Sequence, residues 1–160
     1  RLEGRSDTDG RYAGWAITML ECTIAYNNTQ GVYAANAVTF TNCIVWGNTG
    51  EQLRGLHTHS VTYSDIQGGY SGAYNIDEDP LFANPSIGDC RLLAGSPCID
   101  AGIALPAITN DCSGETRPHD GTWDMGAYEF VPEPSVALLF TTIILATARK
   151  MNARPTSIHQ

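Results

Sequence analysis

The chain has 160 residues, of which only 16% are charged, and a formal net charge of −8 at pH 7. Residues 1–135 hold all 17 acidic side chains against six arginines (Arg1, Arg5, Arg11, Arg54, Arg91, Arg117), a net −11, whereas the last 25 residues carry Arg149, Lys150 and Arg154, a net +3. So acidic a body repels a phosphate backbone, which argues against a nucleic-acid partner, and the length suits one domain around a single core.

The opening stretch "RLEGRSDTDGRYAG" has no initiator Met, no apolar run and no cleavage site, so it is not a signal peptide. Residues 1–11 read as a truncated or irregular lead-in, and the chain as the C-terminal piece of a longer protein.

Residues 12–70 contain a repeat. The segment "AITMLECTIAYNN" (16–28) lies over "AVTFTNCIVWGNT" (37–49) without a gap, at an offset of 21 residues. Ala16, Thr18, Cys22 and Asn27 match Ala37, Thr39, Cys43 and Asn48, and the apolar pairs Ile17/Val38, Met19/Phe40 and Ile24/Val45 align. A looser third copy follows in "SVTYSDIQGG" (60–69). Within a copy, Val38 and Phe40 alternate with Thr39 and Thr41, a period of two that specifies a strand with one buried face. After Asn42 the alternation restarts, with Cys43 and Val45 on the apolar side. Short strands separated by Asn or Gly corners and recurring every twenty-odd residues predict an all-β solenoid of parallel coils. This repeat resembles the right-handed parallel β-helix family, which includes pectate-lyase-like and many bacterial surface proteins. The resemblance implies a pectin-lyase-like fold whose coils each carry an apolar-x-apolar strand, an Asn corner and a second short strand.

In the coils, Trp15, Tyr26, Tyr33 and Trp46 fall at or near corners. A row of stacked aromatics there is a candidate surface for sugar rings, and packing at the corners is the competing expectation. Cys22 and Cys43 occupy equivalent places in neighbouring coils, close enough to bridge or to stack as small apolar residues, the latter being favoured. "HTH" (57–59) sets two imidazoles on one strand face but offers no third metal ligand.

Residues 71–130 read as a terminal coil plus an irregular cap. An open stack of coils leaves unpaired backbone and an uncovered core layer at its last turn. The anchors Leu81, Phe82, Leu92, Leu93, Ile99, Met125, Tyr128 and Phe130, set among Gly- and Asp-rich turns, are expected to fold over that end. Here "NIDEDPLFANPSIGDCRLLAGSPCIDAG" (75–102) and "RPHDGTWDMGAYEF" (117–130) resemble the choice-of-anchor Q region that ends such proteins, with Cys90 standing where an aromatic is more usual. The acids Asp77 and Asp79 are weak calcium candidates, against solvated turn acids beside Pro80. "DCSGE" and "HDGTWD" read as turns. Five cysteines leave at least one thiol without an intramolecular partner. Cys98 and Cys112, flanking the cap, are the candidates for a disulfide in an oxidising compartment.

Residues 131–150 read "VPEPSVALLFTTIILATARK". Pro132 and Pro134 stop any regular element, residues 136–148 are apolar apart from three threonines, and Arg149–Lys150 closes the run. This resembles the PEP-CTERM sorting signal, in which Pro132, Glu133 and Pro134 would form the motif and Arg149 with Lys150 the basic cluster after a transmembrane helix. The resemblance implies export to the cell envelope or extracellular surface of a Gram-negative bacterium, processing by an exosortase-type enzyme, membrane contact through the tail, and a link to extracellular polysaccharide and biofilm. Charge after the apolar run holds that end in the cytoplasm, although 13 helical residues reach only about 20 Å against a hydrocarbon core of about 30 Å. A buried or amphipathic C-terminal helix is the other reading. Residues 151–160 read as a disordered tail.

No nucleophile–base arrangement and no basic residue beside paired acids is visible. The expected function is therefore a non-enzymatic, surface-displayed or secreted β-helix serving adhesion or matrix and polysaccharide association. The alternative is the C-terminal part of a polysaccharide lyase or glycoside hydrolase whose active site lies in coils upstream.

Overall fold

A computed structural model describes residues 17–55, 58–119 and 121–133 of the chain. These residues are all-β, with ten strands and one short 3-10 turn. Strands β1 (Ile17–Leu20), β4 (Val38–Thr41) and β7 (Ser60–Thr62) form one parallel sheet. A second parallel sheet joins β2 (Thr23–Ala25), β5 (Ile44–Trp46) and β8 (Asp65–Ile66), and a third pairs β3 (Val32–Ala34) with β6 (Leu53–Gly55). Every one of these pairings joins residues 21 apart: Ile17 to Val38, Phe40 to Val61, Val45 to Ile66, Tyr33 to Arg54. The repeat seen in the sequence is thus the hydrogen-bond register itself.

Why the chain turns where it does is also periodic. Glu21, Asn42 and Tyr63 all take left-handed backbone conformations, with φ of 53°, 54° and 49°. They make one corner, between the first and second strand of each repeat. Tyr26, Gly47 and Gly68 make the next, with φ of 54°, 68° and 88°. Asn tolerates this region, whereas Glu and Tyr adopt it only under tertiary constraint. At Gly47 a Cβ would stand 2.6 Å from the ring of Tyr26, which lies over it from the neighbouring repeat. Asn48 Oδ1 accepts from the backbone N–H and the amide of Asn27 (3.0 and 2.8 Å), so the matched asparagines bond one repeat to the next.

The inward faces of the sheets meet in a core of Val38, Phe40, Cys43, Val45, Val61 and Ile66, flanked by Ile17, Met19, Ile24, Val32, Ala34 and Leu53. Here the alternation holds: in β4 Val38 and Phe40 are buried and Thr39 is exposed. It breaks in β5. Ile44 is as buried as Val45 although it faces the other way, because a second core of Phe82, Leu92, Cys98 and Met125 covers it.

That second core brings in the segment that follows the repeats. Residues near 73–76 lie against the last repeat, with an isolated parallel bridge between Asp65 and Ile76 and a bond from Tyr63 N to Ala73 O (2.9 Å). The remainder lies along the flank of the parallel strands. Strands β9 (Phe82–Asn84) and β10 (Asp89–Leu92) form an antiparallel pair around the 3-10 turn Pro85–Ile87. Further on, Ala127 N donates to Thr23 Oγ1 (2.9 Å) and Gly126 N to Asn42 O (2.8 Å), so this segment grips the first two repeats. Of the expected anchors, Phe82, Leu92 and Met125 are buried, whereas Leu81 and Leu93 are exposed.

Two buried polar clusters hold this flank. Arg117, with no side-chain exposure, donates to Glu21 (2.6 Å), to Glu129 (2.9 Å) and to the carbonyl oxygen of Gly126 (2.6 Å). Glu129 also accepts from Asp124 N (3.1 Å), and Asp124 accepts from Asp100 N (2.7 Å) and Phe130 N (2.5 Å). One guanidinium thus faces an excess of carboxylates. Desolvation raises Glu21 to about 7 and Asp124 to about 6. In the second cluster Cys98 Sγ donates to Asp65 (3.3 Å), and burial again lifts Asp65 to about 7.

The chain divides between Phe130 and Val131. Of the segment beyond, Val131, Pro132 and Glu133 are described and exposed. Pro134, Arg149, Lys150 and the expected C-terminal helix lie outside the described residues. No helix among the described residues is long and apolar enough to cross a membrane.

Candidate glycan-binding surface

In the third parallel sheet Val32, Ala34 and Leu53 pack against the core, which turns the alternate residues outward. Tyr33 and Arg54 are these alternates and are direct cross-strand partners. Tyr33 is 66% exposed, and the Arg54 guanidinium carbon sits 5.8 Å from the centre of its ring. With Gln30 they line an open hollow of about 270 Å³.

Among the described residues, the three arginines differ in how they are paired. Arg91 is held by Asp89 through two bonds (2.9 and 2.7 Å), and Arg117 is buried against two carboxylates. Arg54, by contrast, has a carboxylate contact only at 3.8 Å, from its Nε to exposed Glu51. Its planar guanidinium lies over the Tyr33 ring, and the Gln30 amide and Tyr33 hydroxyl add hydrogen-bonding groups to the same hollow. A ring with apolar C–H faces and hydroxyl edges matches that arrangement, since the ring face attracts C–H groups and the donors take the hydroxyls. The lining residues thus carry an amide, a phenol and a guanidinium.

The expected aromatic row is not one row. Tyr26 is 46% exposed, but its ring lies over Gly47 and against Phe82 edge-on, 6.2 Å between centres. Trp46 is half-buried and packs on the second core. Trp15 lies outside the described residues. Tyr33 alone of the four presents an open face among the described residues, and its partners Gln30 and Arg54 were not singled out from the sequence. Extending the 21-residue alignment past Asn48 pairs position 33 with 54 and would have found Arg54. Elsewhere Tyr74, 70% exposed, stacks on Tyr63 at 4.6 Å.

Asp77 accepts from Gly68 N (2.9 Å), nine residues back at a corner, and Asp79 from Leu81 N (2.9 Å) within its own turn. Among the described residues, no three His, Cys, Asp or Glu side chains come together as a metal site. His59 is buried, accepting from Val38 N at Nδ1 (3.2 Å), and His57 lies outside the described residues. Asp111 accepts from Ser113 N, Ser113 Oγ and Glu115 N, making "DCSGE" the turn expected.

Cys98 and Cys112 are separate free thiols here, one buried against Asp65 and the other exposed. Each has its own surroundings in this structure. Cys98 serves the second core, and a hydrogen bond between Cys112 and Tyr128 pushes the Tyr128 hydroxyl up to about 12. No protein-family model, curated protein or solved structure matches the chain.

Proposed function

We propose that the chain forms an exported right-handed parallel β-helix that holds polysaccharide at the cell envelope without cleaving it. The fold reading is supported by the 21-residue parallel register in three sheets and by two columns of left-handed corners. In it, residues 12–70 are coils, residues 71–130 a terminal coil and cap of the choice-of-anchor Q type, and residues 131–150 a PEP-CTERM-type sorting signal for an exosortase-type enzyme. The single observation carrying the binding reading is the outward pair Tyr33–Arg54, with Gln30, around an open hollow. The preferred ligand is a neutral glycan, since a chain of net charge −8 repels an acidic one.

Affinity electrophoresis tests this in native gels cast with neutral or acidic polysaccharides. The protein is expected to be retarded by a neutral glycan. Tyr33→Ala should raise the dissociation constant about tenfold, equivalent to about 1.4 kcal/mol, and Arg54→Ala should also weaken retention. Equal retardation of both variants and the parent would remove the hollow from the account. Shortening of the polysaccharide during incubation would favour the lyase or hydrolase reading instead.

A further inference from the structure

Cys22 and Cys43 follow the left-handed corner residues Glu21 and Asn42 in successive repeats. Their register is pinned on both sides, by Leu20 opposite Thr41 and by Thr23 opposite Ile44. Ile44 N also donates to Cys22 O at 2.8 Å. The thiols lean onto the same stretch of backbone: Cys22 Sγ donates to Leu20 O (3.1 Å) and Cys43 Sγ to Met19 O (3.4 Å). Neighbouring parallel strands lie about 4.8 Å apart, inside the Cα separation of roughly 4.4–6.8 Å that a disulfide spans.

The column then ends. Its third member is Ser64, whose hydroxyl accepts from Cys43 N (3.0 Å) and donates to Thr62 O (2.9 Å). Cys43 therefore has one thiol neighbour in the column and no second choice there. Burial also differs across the pair: Cys22 is half-buried, and Cys43 is 0% exposed.

We propose that Cys22 and Cys43 are a redox pair that closes into an inter-repeat disulfide, with Cys22 the attacking sulfur and Cys43 the resolving one. The oxidant is an external disulfide, either small, such as oxidised glutathione, or the disulfide of a thiol oxidoreductase. Cys22 loses its proton and its thiolate attacks one sulfur of that disulfide, releasing the other as a thiol. Cys43 gives up its proton and displaces the remaining thiol, forming the Cys22–Cys43 bond. The pair loses two protons and two electrons, and the external disulfide becomes two thiols. The neighbouring Cys43 thiol lowers that of Cys22 to about 6, while Cys22 and burial together push that of Cys43 up. Closure ties the first repeat to the second through a loop of 21 residues.

The test uses the full chain, purified reduced, equilibrated with excess oxidised glutathione at pH 8, alkylated and mapped by mass spectrometry. Trypsin leaves both cysteines in one peptide, since no Lys or Arg lies between Arg11 and Arg54; a protease cutting after Tyr26, Tyr33 and Phe40 separates them. The expected result is a loss of two hydrogens, a linked peptide pair carrying Cys22 and Cys43, and alkylated Cys90, Cys98 and Cys112. The oxidised protein should unfold roughly 10 °C above the reduced one, a difference absent in Cys22→Ser. Alkylation of all five cysteines, a persistent glutathione adduct on Cys22, or a bridge between any other pair would overturn the proposal. The mapping is done on the parent chain, so the outcome does not depend on a variant folding.

Discussion

Arg117 shows how much a single side chain does here. It is fully buried, it bonds Glu21 in the first repeat and Glu129 in the flank, and 96 residues separate it from Glu21. Removing one partner of such a cluster leaves buried charge uncompensated, so Arg117→Met should cost about 3–5 kcal/mol in denaturant unfolding. Acidity acts on the same groups. Glu21, Asp124 and Asp65 have ordinary values of 4.5, 3.8 and 3.8 and rise to about 7, 6 and 7 on burial, so the folded state holds protons that the unfolded chain releases. The stability linked to those protons is complete below pH 4 and is lost as pH rises through 6 to 7. Asp89, lowered to about 2 by Arg91, acts oppositely but only below its ordinary 3.8. The thermal midpoint should therefore be higher at pH 5 than at pH 8, and a scan across that window checks it. None of this was legible in the sequence. "RPHDGTWD" reads locally as a turn, and nothing local says that its arginine answers a glutamate in the first repeat.

At the scale of elements, the sequence was legible wherever neighbours in space are also a fixed step apart in the chain. The pairs Ile17/Val38 and Cys22/Cys43 could be aligned because each repeat solves the same packing problem at one stacking distance. The third sheet escaped notice because Val32-Tyr33-Ala34 and Leu53-Arg54-Gly55 share only the inward apolar position, while their outward residues differ. Ile44 escaped for another reason. Period two assigns it to the solvent face, and only the flanking segment, whose contacts have no period, buries it. Ile44→Ala should thus cost about 2–5 kcal/mol. Thr39→Ala, on the exposed face of the adjacent strand, should stay within about 0.5 kcal/mol of the parent. Equal effects in urea titrations would mean that the flank does not pack on β5.

For the whole molecule, the parallel register is what everything else stands on. It puts Tyr33 beside Arg54, Cys22 beside Cys43, and both corner columns in line. Its direct measurement is spin–spin coupling between nitroxides on the exposed column Thr18, Thr39 and Ser60, whose backbones lie side by side. Labels at 39 and 60 sit one strand spacing apart, about 4.8 Å between backbones, and labels at 18 and 60 two spacings apart. Strong dipolar broadening is expected for 18/39 and 39/60, with a weaker effect for 18/60. Sharp, uncoupled spectra for both adjacent pairs would contradict the register and, with it, the glycan surface built upon it.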